Sequence, residues 1–153
     1  EIRDKVPGAS ISTDVIVGFP GETDKQFMAT LDLIRETRFE KVHAAVYSAR
    51  PGTIAFRKAE DNVPIEEKKS RLRALELLQE SIVSGTNSLL LGKSLEILVE
   101  DRHKGQWRGR TRSDKLVFFR EGDDMVGKVV DVKISRTGPW SLEGELISAE
   151  TKI

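Results

Sequence analysis

The chain has 153 residues, 38% apolar and 33% charged, with 25 Lys and Arg balanced by 25 Asp and Glu. That balance fits one ordinary globular domain or two small ones. It excludes a disordered tail and a uniformly basic nucleic-acid-binding protein, so any charge argument is local. Cysteine is absent, which excludes disulfides, thiolate nucleophiles and cysteine-held iron–sulfur centres within this stretch.

No long apolar run and no signal-peptide pattern occurs, which reads as a cytoplasmic chain without a membrane partner. His43 and His103 lack ligand spacing. His43 reads as a strand residue, His103 as a solvated loop residue, and no metal is assigned.

Glu1 to Pro7 read as the end of a helix cut in its middle. Ile11 to Gly18 is a β-branched apolar run that stops at glycine, the pattern of a buried parallel strand. After the loop from Gly18 to Thr23, Thr23 and Gln26 make a capping box for a helix over Asp24 to Thr37. Phe27, Leu31 and Ile34 form its apolar face. Lys41 to Ser48 is the next strand, so the unit is strand–helix–strand with a right-handed parallel connection.

Ala49 to Val63 reads as a loop. Pro64 then opens a helix reaching about Ser84, with Leu72, Leu75, Leu78 and Ile82 as its apolar stripe. Glu66, Glu67, Lys68, Lys69, Arg71 and Arg73 fall on its wet side. Gly85 to Gly92 reads as a linker. Beyond it short alternating strands follow: one around Leu95, Ile97 and Val99, Trp107 to Arg112, Leu116 to Phe119, one around Val130, Val132 and Ile134, and Leu142 to Ile147. Ser113 and Asp114 supply a turn between the second and third. Five such strands predict a small β-barrel of the oligonucleotide-binding type. The fold class is therefore α/β followed by all-β, divided at 1–86 and 87–153. A lone pair of parallel strands leaves edges unpaired, so the first part reads as cut from a larger sheet or barrel and should expose apolar surface.

Three segments are candidates for chemistry. Asp14 to Thr23 lies at the C-terminal end of a parallel strand, where α/β folds bind ligands, although from the residues alone a tight turn between strand and helix is the favoured reading. Tyr47 to Thr53 ends the neighbouring strand, and its Arg50 suits an anion clamp or a solvated surface turn. Arg102 to Arg120 holds seven Lys or Arg (Arg102, Lys104, Arg108, Arg110, Arg112, Lys115, Arg120) against one acid, Asp114. Arg108, Arg110 and Arg112 alternate, so on a strand they share a face and suit a polyanion, with Trp107 and Phe118 or Phe119 as stacking surfaces. A solvated barrel face with core aromatics is the plainer alternative. No catalytic triad or carboxylate pair stands out, and no catalytic residue is assigned.

Asp14 to Thr23 and Tyr47 to Thr53 resemble late strand ends of the radical-SAM methylthiotransferases. Gly109 to Lys115, with Leu142 to Glu145, is similar to the TRAM domain that closes those enzymes. The resemblance covers nearly the whole chain in order and is nearest the branch acting on isopentenyl-adenosine in tRNA. It implies that 1–86 is the C-terminal part of a parallel (β/α) radical-SAM barrel and that 87–153 is an OB-like TRAM barrel. The intact enzyme uses S-adenosylmethionine and two [4Fe–4S] clusters, and neither set of cluster cysteines stands in this chain, so the chain alone should be inactive. By resemblance Asp14, Ile16, Gly18, Glu22, Tyr47 and Ser48 border S-adenosylmethionine. Arg50, Gly52 and Thr53 face the substrate. Arg108, Arg110, Thr111, Arg112 and Lys115 meet RNA, with the tRNA anticodon stem-loop as partner and a monomer as the state. Asp114 departs from the asparagine frequent in the family, and a carboxylate in an RNA-binding loop is unfavourable unless it pairs with Arg112 or Lys115. The alternatives are a relative that modifies an aspartate of a ribosomal protein and a stand-alone RNA-binding module.

Overall fold

A computed structural model of the protein describes residues 1–148. Residues 149–153, expected in the second domain, lie outside the described residues. In chain order the elements are α1 (Ile2–Lys5), β1 (Ser12–Val17), α2 (Asp24–Thr37), β2 (Lys41–Val46), α3 (Ile54–Lys58), α4 (Ile65–Ser88), β3 (Ser94–His103), β4 (Gln106–Thr111), β5 (Leu116–Phe119), β6 (Val129–Thr137) and β7 (Leu142–Ser148). The chain divides into two compact units. One is Ile11–Ile82; the other combines Glu1–Ser10 with the residues from Val83 on.

In the first unit β1 and β2 pair in parallel from Ser12↔Lys41 to Val17↔Val46. The capping box is complete: the Thr23 hydroxyl accepts from the Gln26 amide, and the Gln26 side chain accepts from the Thr23 amide at 2.8 Å. Strand alternation sends Val15, Val17, Val42, Ala44 and Val46 to one face, where they pack with Phe27, Leu31 and Ile34 of α2 and Leu75 and Ile82 of α4. Each fully buried side chain of this kind is worth about 2 kcal/mol. Ser12, Asp14 and Ile16, with Lys41, His43 and Ala45 beside them, remain on the exposed face. The expected exposed apolar surface is present, with Ile16, Phe19, Met28, Leu33, Ile54 and Phe56 all open to solvent.

Three expectations need correction here. The segment Ala49 to Val63 is not all loop, because Thr53 caps the short helix α3, its hydroxyl accepting from the Phe56 amide at 3.2 Å. The first half of the expected linker, 85–88, is helix, since α4 continues to Ser88. Lys68 and Arg71, read as wet, are buried at 3% and 4% exposure. They fall one and two turns before Leu75 on its stripe, and acidic partners wait for them there.

In the second unit the strands close into a barrel in the order β3-β4-β5-β7-β6. All neighbours are antiparallel except β5 and β7, which pair in parallel at Val117↔Leu142 and Phe118↔Glu143. Its core holds Ile97, Val99, Trp107, Val117, Phe119, Met125, Val130, Val132, Ile134 and Leu142. β3 reaches His103, so that residue ends a strand rather than sitting in a loop. The hairpin turn after it is Lys104-Gly105, both at positive φ, as a two-residue turn requires.

Candidate functional site

The loops that end β1 and β2 are held by two buried cations of α4. The Gly18 amide donates to Glu22 Oε2 at 2.6 Å, and Arg71 Nη1 donates to the same oxygen at 2.7 Å and to the Glu22 carbonyl at 3.0 Å. Arg71 also bonds Asp24 Oδ1 at 2.8 Å and the Glu67 carboxylate. Burial opposes the Arg71 charge, yet hydrogen bonds to Glu22 and Asp24, with the charges of Glu67 and Glu22, carry its pKa above the ordinary arginine value. Lys68 Nζ donates to Asp61 Oδ1 at 2.5 Å and to the Tyr47 carbonyl at 3.4 Å, and lies 5.1 Å from the Tyr47 ring centroid. The Tyr47 ring packs edge-on against Phe19, centroids 5.0 Å apart. Gly18 has φ +71, and a Cβ there would lie 2.3 Å from Lys68 Cγ.

The structure thus sorts the residues expected around S-adenosylmethionine. Asp14 and Ile16 stand on the uncovered face of the parallel pair, beside His43 and Ala45 in register. Gly18 and Glu22 are engaged within the fold: Lys68 fills the place of the absent Cβ and the Glu22 carboxylate is held by Gly18 and Arg71. Tyr47 joins them through its carbonyl and ring, while Ser48 is exposed at the strand end. Arg50 is exposed and Gly52 turns the chain at φ +89. The Thr53 hydroxyl donates to the Arg50 carbonyl at 2.8 Å and caps α3.

On the barrel, β4 buries Trp107 and Gly109 and turns Arg108 and Arg110 to the other face. Arg112 lies past the strand end, its side chain 88% exposed. The three arginines do not stand unopposed. Arg108 pairs with Asp101. Arg110 reaches Glu100 at 3.4 Å and Asp114 at 2.9 Å, and Arg112 reaches Glu96 at 2.8 Å. The acids come from β3 across the ladder and from the turn, which a count along the sequence cannot register. The Arg108 hydrogen bond holds the Asp101 carboxyl below its ordinary value, and Asp101 in turn raises Arg108. Asp114 therefore pairs with Arg110, not with Arg112 or Lys115. It sits at φ +62, a left-handed position that aspartate tolerates well. Thr111 accepts from the Lys115 amide at 3.0 Å and shares a hydrogen bond with Ser113, so it builds the turn. Thr111, Arg112 and Ser113, with Gly8, Leu95 and Glu96, line a cavity of about 300 Å³.

Trp107 and Phe119 are core residues rather than stacking surfaces; the Trp107 indole N–H donates to the Gly122 carbonyl at 3.0 Å. In the described part of the barrel unit an exposed aromatic is Trp140, at 59%, in the turn between β6 and β7. Sequence reasoning missed it, together with Lys68, Arg71 and Asn87. The spacing of 68 and 71 to Leu75 is the signal that exposes the first two. Asn87 is 3% exposed, and its Nδ2 donates to the carbonyls of Gly138 at 2.7 Å and Pro139 at 3.2 Å, while its Oδ1 accepts from Lys115 Nζ at 2.9 Å. Among the described residues no cluster of His, Cys, Asp or Glu suits a metal ion, and no helix is long and apolar enough to cross a membrane.

The TRAM domain family matches residues 89–147, the barrel. A tRNA-2-methylthio-N(6)-dimethylallyladenosine synthase of Roseiflexus is 48% identical over 153 residues, covering 98% of this chain and 32% of that protein. Proteins of the same name from Chloroflexus aurantiacus and Herpetosiphon aurantiacus are 49% and 48% identical, covering 94% and 95% of this chain and 31% and 34% of themselves. The chain spans about a third of the length of the curated relatives it matches. Residues 89–147 match the TRAM domain family, and over nearly its whole length the chain is similar to part of the tRNA-2-methylthio-N(6)-dimethylallyladenosine synthases.

Proposed function

We propose that this chain is the C-terminal part of a radical-SAM enzyme that methylthiolates dimethylallyl-adenosine beside the tRNA anticodon. In this reading residues 1–86 complete the parallel barrel and 87–153 grip the tRNA. The observation that carries it is the collinear similarity to synthases of that name, 48% identical across 98% of the chain. Those names favour tRNA over the ribosomal-protein substrate. The uncovered face of β1 and β2 supports membership of a larger barrel, because parallel sheets are covered on both faces.

Bound S-adenosylmethionine would supply the radical and methyl chemistry, with the two [4Fe–4S] clusters held by cysteines that this chain lacks. Here Asp14 and Ile16 line the nucleoside, with Tyr47 and Ser48 at its border. Gly18 and Glu22 act through the brace to Lys68 and Arg71. Arg50, Gly52 and Thr53 sit toward the substrate. The chain alone is catalytically silent, monomeric and cytoplasmic.

On the TRAM barrel, Arg110 and Arg112 meet RNA phosphate most directly, since both side chains are substantially exposed. Each of the three exchanges its acidic partner for phosphate, Arg108 giving up Asp101, Arg110 giving up Glu100 and Asp114, and Arg112 giving up Glu96, while Thr111 and Lys115 shape the turn. The test is a salt titration of binding between the chain and an unmodified anticodon stem-loop. Removing one arginine–phosphate interaction should reduce the log–log salt slope by about 1. Wild type should weaken steeply with salt, and Arg110→Ala with Arg112→Ala should flatten the slope by about 2. No binding at low salt would count against the tRNA grip and favour the protein substrate.

A further inference from the structure

β5 and β7 run in parallel with Val117 opposite Leu142. Lys115 and Trp140 each stand two residues before that pair, so the two turns they occupy open at the same end of the barrel. Asn87 locks them together. It is one of the few buried polar residues, and a single side-chain amide holds both carbonyls of the Gly138-Pro139 turn and the Lys115 ammonium. The turn is tightened further by the Gly138 amide donating to the Ser141 carbonyl at 2.9 Å. This rigid turn presents an indole at 59% exposure, whereas the other tryptophan, Trp107, is in the barrel core. A lone exposed apolar side chain is ordinary on a protein surface, so what points to a ligand is the fixed, basic setting of this indole. A flat π surface in a turn that shares the anchor Asn87 with a lysine ammonium suits an unpaired nucleobase with its phosphate.

We propose that Trp140 is a stacking platform for an unpaired RNA base, with Lys115 for the adjoining phosphate and Asn87 as the residue that positions both. This rests on the RNA-binding reading above and adds to it a base-contacting residue on a different loop from the arginines. The partner it fits is single-stranded or looped RNA, since a duplex keeps its bases stacked on each other.

The experiment measures binding of the chain to the unmodified anticodon stem-loop across a salt series, for wild type, Trp140→Ala and Trp140→Phe, with circular dichroism to confirm each fold. Stacking on one aromatic is worth enough that Trp140→Ala should weaken binding about tenfold. The weakening should be equal at every salt concentration, because no ion is released by an indole. Trp140→Phe should stay within about threefold of wild type, since it keeps a ring face. A stem-loop with abasic sites in its loop should lose affinity for wild type and lose nothing more for Trp140→Ala. If wild type binds and Trp140→Ala binds equally well, the platform is wrong while the RNA grip stands. If Trp140→Phe is as weak as Trp140→Ala, the indole N–H and not its face matters, and stacking is wrong. If wild type binds no RNA at low salt, both readings fall.

Discussion

Gly18 and Lys68 compete for one space: the lysine side chain lies where any β-carbon at position 18 would go, and its ammonium is fixed on Asp61 behind it. Gly18→Ala meets two penalties at once, a positive φ of +71 and a contact that Lys68 cannot leave without breaking its ion pair. We expect a loss of about 2 kcal/mol in denaturant unfolding of the first unit. Pairing the change with Lys68→Ala should return part of that loss, and a purely additive double variant would show that the two residues do not collide.

Arg71 is the second anchor of the same loops. Removing it leaves Glu22, whose side chain is only 13% exposed, without its counter-charge. Arg71→Ala should therefore cost about 3 kcal/mol. Arg71→Lys should rescue little, because one ammonium cannot serve Glu22, Asp24 and Glu67 with the reach of a guanidinium fork. Chemical denaturation compares the two, and full rescue by lysine would mean that charge alone suffices.

Gly109 faces inward on β4 under the backbone of β3. A Cβ there would lie 2.4 Å from the Leu98 carbonyl oxygen and 2.7 Å from Ile97 Cγ2. Main chain cannot step aside cheaply, so Gly109→Ala should break the β3–β4 ladder, at a cost of about 3 kcal/mol. Amide hydrogen exchange should report it, with lost protection across β3 and β4. A variant with native protection there would show that the two strands can separate by the needed distance.

Asn87→Ala removes three hydrogen bonds at a buried point. The Gly138 and Pro139 carbonyls lose their donor, and about 2 kcal/mol of stability should go with them. Asn87→Asp should fare no better, since a carboxylate faces those two carbonyls without an N–H to offer. Thermal unfolding distinguishes these outcomes, and an aspartate variant as stable as wild type would assign the role to Lys115 alone.

Acid should find the barrel unit through two carboxylates. The Asp101 carboxyl is held below 3.8 by the Arg108 hydrogen bond, against the opposing effect of partial burial. The Glu121 carboxyl is held below 4.5 by its own amide and those of Leu146 and Arg120, again against burial. A carboxylate depressed in the fold binds its proton less readily there than in the unfolded chain. Its contribution is thus fully present above the unfolded value and is lost as pH falls through the lower native one. Carboxyl NMR titration should put both midpoints below those ordinary values, and Arg108→Gln should move Asp101 back toward its usual range while leaving Glu121 in place.

Local rules made much of this fold legible. Thr23 and Gln26 announced α2, the alternation at Ile97, Val99, Val130, Val132 and Ile134 announced barrel strands, and Ser113-Asp114 announced a turn. What escaped depends on partners distant in the chain. Lys68 and Arg71 look wet until Asp61, Glu22 and Asp24 are brought to them. The arginines of β4 look unopposed until an antiparallel ladder sets Glu96, Glu100 and Asp101 alongside. The residues expected around a cofactor divide for the same reason: the exposed placement of Asp14 and Ile16 follows from strand alternation, whereas the hydrogen bonds of Glu22 need Arg71 from 49 residues away.

The β5–β7 pair that closes the ring also determines how the two units should behave as materials. A closed ring has no terminal strand, so the folded barrel cannot grow by adding one. The β1–β2 ribbon is open, with Ile16 bare on its uncovered face, and offers its flanks as templates to any other copy. Turbidity in a concentrated preparation should therefore originate in residues 11–82, and the protein's shelf life will be that of its least enclosed sheet.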